Sequence, residues 1–247
     1  MAATAPLVHR HLDRGIAVVT LDSPHNRNAL SADLLDGLAA EFEQAGADGA
    51  VRAVLLTHTG TTFCSGADLA DRRARQGPAR LAALMRQMAA LPKPVVARVR
   101  GHVRAGGLGL LAACDISVAT GSADFAFTES RLGLAPAVAS IPVLAAADRR
   151  AMARYFLTGE RFGTAEAIRT GLVTARDEEL EGILAGLRAA APQGLSATKE
   201  LTAAALLAAL AAGTDAMADL SGRLFASADA AEGMRAFLER RDPPWAL

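Results

Sequence analysis

Twice in this chain a strand-like run ends in a glycine-bearing loop and hands over to a helix. VLLTHT at 54–59 leads into FCSGAD at 63–68, and PVVARV at 94–99 leads into RAGGLG at 104–109. A chain that alternates strands and helices in this way packs its helices over a sheet, so the fold class is α/β. Each loop also presents backbone N–H groups at a helix N-terminus, where partial positive charge favours anions. Two such loops converging on one point could hold a carbonyl oxygen as it becomes an oxyanion. Taken singly, each is equally an ordinary turn in which glycine relieves strain.

The rest of the chain extends the same pattern. IAVVTL at 16–21 reads as a further strand, and Ser31 is placed to cap an amphipathic helix over 32–47. Asp68 is placed to cap the helix after the first loop. The Arg-rich stretch DRRARQGP, 71–78, reads as a mobile lead into a helix over roughly 79–91, which Pro92 and Pro94 end. Leu108–Ala113 reads as helix, Asp115–Ala119 as strand and Phe125–Phe127 as a short extended segment. Beyond Arg149 the pattern is helical, over 149–157, 164–169, 178–190, 196–212, 214–226 and about 230–240.

Composition excludes several classes. Half of the 247 residues (51%) are hydrophobic, enough for a full core and too many for a disordered chain. With 26 basic and 26 acidic side chains there is no broad positive field, so no nucleic-acid partner is expected. The longest uncharged stretch, Leu132–Ala147, has 16 residues and two prolines, too short to span a bilayer, so no membrane partner is expected. The segment MAATAPLVHRHLDRG has no apolar run before its charges, and Cys64 and Cys114 make no disulfide framework. The expectation is a cytoplasmic, globular protein. Only two of the basic residues are lysines, Lys93 and Lys199.

Few side chains stand out for chemistry. Glu129 follows an apolar strand, where a carboxylate can act as a general acid and base with a raised pKa. Its plain alternatives are a surface position or an ion pair with Arg131. His58 and His102 have no partners at metal-ligand spacing, so no metal site is expected. GLGLLA at 107–112 matches a dinucleotide-binding pattern, but it begins seven residues after the strand ends, so the tight turn that pattern needs is missing. There is no nucleophile elbow and no P-loop.

Taken together, several strings point further. PHNRNAL (24–30), FCSGADL (63–69), KPVVARVRGHVRAGGLGLLAACDISVA (93–119) and FAFTESRLGLAPA (125–137), in this order and spacing, resemble the crotonase (enoyl-CoA hydratase/isomerase) superfamily. ARYFLTGERF, AIRTGLV and FLERRDPPW resemble its C-terminal half, so the likeness covers roughly residues 8–245. It implies a crotonase-like spiral of ββα units carrying an acyl-CoA site over 1–190, and a helical trimerisation region over 191–247. It also implies a homotrimer or a dimer of trimers. No cofactor is implied, because coenzyme A belongs to the substrate.

The resemblance also assigns residues. The N–H groups of Ala67 and Gly106 match the family's two oxyanion-hole donors, and Glu129 matches its second catalytic glutamate. Ser65, Gly66, Leu69 and Gly107 fall at substrate-binding positions. Arg27 lies where the first motif approaches the nucleotide, as a phosphate contact or as a solvated side chain. The family's first glutamate belongs three residues after the second donor, and that position is Gly109. The chain therefore resembles one-glutamate members such as methylglutaconyl-CoA hydratase-like proteins. The implied reaction is hydration of a 2-enoyl-CoA. The alternatives are Δ3,Δ2-enoyl-CoA isomerisation and acyl-CoA binding with little turnover.

Overall fold

The computed structural model describes residues 6–247 apart from 70, 72, 74 and 75, so part of the Arg-rich stretch 71–78 lies outside the described residues. The chain opens with an antiparallel hairpin, β1 (Val8–Asp13) and β2 (Ile16–Leu21), followed by α1 (Ala32–Ala47). Ser31 caps α1 as its position predicts, its hydroxyl accepting the Leu34 N–H at 3.2 Å.

Three units of two strands and a helix come next. They are β3 (Ala53–His58), β4 (Thr62–Cys64) and α2 (Gly77–Ala90); β5 (Val95–Val99), β6 (His102–Arg104) and α3 (Gly106–Ala112); and β7 (Ile116–Ala119), β8 (Asp124–Ala126) and α4 (Ala137–Ala146). The remainder is mostly helical: α5 (Arg149–Thr158), β9 (Phe162–Gly163), α6 (Thr164–Arg169), β10 (Ala175–Arg176), α7 (Leu180–Ala189), α8 (Pro192–Phe225) and α9 (Ala228–Glu239).

Each unit sends its first strand to one sheet and its second to another. The larger sheet has the order β1-β2-β3-β5-β7-β10 and the smaller β4-β6-β8-β9. From β2 to β10 the larger sheet is parallel, and all six residues of β3 are buried. That follows from cover on both faces. Helices α1 to α4 enclose the main core on one face, while Leu180 and Leu184 of α7 pack on Ile16, Leu55, Val96 and Val118 on the other. This is the spiral of ββα units that the resemblance implies.

Several elements depart from the sequence reading. β4 and β6 have three residues each, too few to show alternation, and both lie beside glycine. β1 (VHRHLD) is an edge strand whose polar side chains hide its pattern. α4 forms despite Pro142 inside it. The helices expected at 196–212 and 214–226 are one helix, α8, because Gly213 lowers helix propensity without breaking a helix that is packed elsewhere.

α8 lies on α2 and α4. It is docked by Lys199, only 4% exposed, whose ammonium donates to the Met88 and Lys93 carbonyls at 2.7 and 3.0 Å and pairs with Asp115 at 2.8 Å. Lys93 serves α1 in the same way, donating to the carbonyls of Ala45 and Asp48. By length and composition α8 is apolar enough to cross a bilayer, although no uncharged run in the sequence reaches that length.

Candidate active site

β4, β6 and β8 are neighbouring parallel strands, and the residues just past their carboxyl ends line one cleft of about 590 Å³. Ser65, Ala67, Asp68 and Leu69 follow β4, Ala105 and Gly106 follow β6, and Thr128 and Glu129 follow β8. The carboxyl ends of parallel strands are where α/β proteins generally place ligands. Here sheet adjacency joins three motifs that are up to about sixty residues apart in the chain.

The first loop is stitched down by the PHNRNAL segment. Asn28, buried at φ 52°, accepts the Ser23 N–H at 2.7 Å and donates to the Thr62 and Thr59 carbonyls at 2.7 and 3.2 Å. Two residues later the Leu30 N–H donates to the Gly66 carbonyl at 2.8 Å, and Leu30 bridges Ala67 as in a parallel ladder. The Ser65 hydroxyl is turned to the Asn26 carbonyl at 3.3 Å. Asp68 does not cap α2, which begins after Gln76. Its carboxylate instead accepts from Asn26 at 3.3 Å. Arg27 and His25 also line the cleft.

In the second loop Gly106 is the first residue of α3, so its N–H has no acceptor within the helix. Gly66 and Gly107 are not among the residues lining the cleft. Their lack of side chains is used for close approach. A Cβ on Gly66 would come 2.8 Å from the Ala105 Cβ and 3.9 Å from the Gly106 nitrogen, and one on Gly107 would come 2.7 Å from the Cys64 Cβ. The glycines of the dinucleotide-like string at 107–112 are therefore used for close packing, Gly107 against Cys64 and Gly109 against Ala139.

Glu129 opens a short 3-10 turn, Glu129–Leu132, and lines the same cleft. It is 8% exposed and its Oε2 is buried without a hydrogen-bond partner. Burial pushes its carboxyl up to about 7, only partly offset by a hydrogen bond to its own backbone. It forms no ion pair with Arg131, whose Nε donates to the Thr158 carbonyl at 3.0 Å. α9 presses on this turn: a Cβ on Gly233 would come 2.5 Å from the Leu132 carbonyl oxygen.

The other candidates lie elsewhere. His102 is exposed and paired with Asp124, which also takes two hydrogen bonds from Arg104 at 2.9 Å. His58 is fully buried, its Nε2 accepting the Arg100 N–H at 3.0 Å and its Nδ1 donating to the Thr59 carbonyl at 3.2 Å. The buried Cys64 thiol is pushed up to about 12 by desolvation, which leaves it unreactive. Among the described residues no group of three His, Cys, Asp or Glu side chains is placed to hold a metal ion. The apolar cleft walls, including Leu81 of α2, Val138 of α4, Phe225 of α8 and Phe237 of α9, have no signature in the sequence. They come from elements that meet only in the fold.

The enoyl-CoA hydratase/isomerase family model matches residues 11–246, and the chain belongs to that family. The fold is the crotonase fold. An enoyl-CoA hydratase from Mycobacterium avium is 44% identical in sequence, and its crystal structure matches with a TM-score of 0.93 over 98% of this chain and 100% of that one. A second, from Mycobacterium avium subsp. paratuberculosis K-10, is 31% identical, with a TM-score of 0.89 over 98% and 99%. A protein of Rhodobacter capsulatus named "Probable enoyl-CoA hydratase" is 34% identical over 251 residues, covering 96% of each chain.

Proposed function

We propose that this chain is an enoyl-CoA hydratase-like lyase that adds water to a 2-enoyl-CoA thioester. The observation that carries this reading is Glu129, a buried carboxyl with an unpartnered oxygen and a pKa raised to about 7, in the same cleft as Ala67 and Gly106. A carboxyl that titrates near neutrality can serve as both base and acid.

The thioester oxygen is held by the N–H groups of Ala67 and Gly106, which stabilise the enolate as negative charge moves onto that oxygen. Ionised Glu129 takes a proton from water as the water oxygen bonds to Cβ. It then returns that proton to Cα as the enolate collapses, so one water is added and the carboxylate is regenerated. Ser65, Gly66 and Gly107 support the two donor loops. Arg27 and Leu69 lie at the cleft for the coenzyme A portion, and no cofactor takes part.

A second reading, double-bond isomerisation, is favoured by the absence of any side chain at Gly109. One carboxyl is enough to take a proton at one carbon of a 3-enoyl chain and return it at another. Incubation with 2-enoyl- and 3-enoyl-CoA thioesters, with products identified by mass, separates the two. Gain of one water supports the lyase, and double-bond movement at constant mass supports the isomerase. Binding with neither change leaves an acyl-CoA carrier.

A further inference from the structure

Ala105 has a backbone that an L-residue rarely adopts, φ 50° and ψ −125°. Arg27 and Arg240 also have positive φ, but at ψ 39° they sit in the ordinary left-handed region. Ala105 instead occupies the corner of the map used by the first central residue of a type II′ turn, where glycine dominates. Glycine would adopt this conformation without strain, so the methyl group opposes the local backbone preference.

That methyl lies at the junction of all three parts of the site. It is the nearest atom to the open side of Gly66, where an added Cβ would come within 2.8 Å of it. Gly66 is itself held at φ 92° and precedes Ala67. The Ala105 N–H donates at 3.1 Å to the carbonyl of Ala126, three residues before Glu129. Its own carbonyl accepts the Leu108 N–H at 2.9 Å, closing the first turn of α3 behind Gly106. Ala105 lines the same cleft as the unpartnered Glu129 oxygen.

We infer that Ala105 is a positioning residue for the reaction: its strained backbone and its methyl group fix the spacing between the Ala67 and Gly106 donors and tie both to the end of the strand that leads into Glu129. The assignment rests on the thioester reading above. Ala105 neither donates to the thioester oxygen nor titrates; it keeps the Ala67 and Gly106 donors in register with Glu129. A misplacement of about 1 Å at such a site can cost on the order of a hundredfold in rate.

The test exploits opposite signs. Ala105→Gly removes both the strain and the methyl group, so its melting temperature should rise by about 2–4 °C. Its kcat on the best 2-enoyl-CoA should fall at least tenfold, with KM changed much less. Ala105→Ser, which keeps a Cβ in place, should stay within threefold of the parent. If Ala105→Gly is stabilised and keeps its kcat, the strain is idle and the assignment is overturned. It is also overturned if stability and activity fall together, as for a residue that only supports the fold. Calorimetric titration of the parent protein with butyryl-CoA separates the two levels. An absence of binding defeats the thioester reading and this assignment with it, whereas binding with an indifferent Ala105→Gly defeats only the latter.

Discussion

Gly109 and Ala139 touch backbone to backbone. A Cβ on Gly109 would come 2.9 Å from the Ala139 Cα and 3.0 Å from its Cβ, with the Met85 sulfur 3.3 Å away. A side chain at position 109, where the resemblance would put a first glutamate, would thus point into space occupied by α4. Gly109→Glu should therefore add no hydratase activity, and it should lower the melting temperature by forcing α3 and α4 apart. Overpacking of this kind costs about 1–3 kcal/mol or more. A faster hydration rate in that variant would show that α4 yields and that the cleft can accept a second acid.

Glu129→Gln keeps the side-chain volume and removes the titratable carboxyl that the proposed mechanism uses. Turnover should drop roughly 10²-fold or more, while acyl-CoA affinity, measured calorimetrically, stays close to the parent value. Gly106→Pro, which deletes a backbone donor, should impair binding and turnover together.

The same substitution has a stability signature. The Glu129 carboxyl rises from 4.5 to about 7 on folding, so the fold favours its neutral form. Its contribution is fully present below pH 4.5 and is lost as the pH climbs towards 7. Above that the ionised group costs on the order of 3 kcal/mol. Glu129→Gln should thus raise the melting temperature at pH 8 and leave it almost unchanged at pH 4.5. Equal shifts at both pH values would mean that the carboxyl is not desolvated.

His58 acts with the opposite sign. Burial lowers its pKa from 6.5, and both ring nitrogens are engaged with the backbone as the neutral tautomer. The unfolded chain binds the proton more readily, so the stabilisation is present above pH 6.5 and is lost as the pH falls through the lowered value. Melting temperatures of Glu129→Gln, in which the carboxyl term is removed, should fall steadily from pH 7 to pH 5. Adding His58→Asn should flatten that slope.

The sequence discloses the two glycine-bearing loops because glycine, strand and helix signals coincide there, and it discloses α1 through Ser31. Glu129 is visible only as a carboxylate at the end of an apolar segment. The turn that carries it is packed against α9 through Gly133 and Gly233, which are more than ninety residues apart in the chain. Asn28 carries no chemistry in the motif reading, yet its three hydrogen bonds fix the first loop. α4 is hidden by its prolines, and β4 and β6 by their length. Each is defined by its neighbours in space, which local pattern does not reveal.

The exposed side of α8 leads to an expectation about assembly. Little of its most apolar stretch is covered, and Leu201 is 80% exposed. We propose that copies of the chain cover this face in a trimer or a dimer of trimers, since apolar surface of this extent gains from burial. Analytical ultracentrifugation should give a species of three or six chains. A stable monomer of 25.4 kDa at micromolar concentration would dispose of the idea.

The two lysines have a practical consequence. Both ammonium groups are held at helix-end carbonyls, Lys93 at α1 and Lys199 at α2. Reagents that modify primary amines therefore meet one half-buried lysine, Lys93, and one buried lysine, Lys199, so crosslinkers of that kind will under-report any assembly the chain forms. The same scarcity makes Lys199 a built-in reporter. Its labelling rate tracks the fraction of molecules in which α8 has lifted from the core, with no engineered probe required.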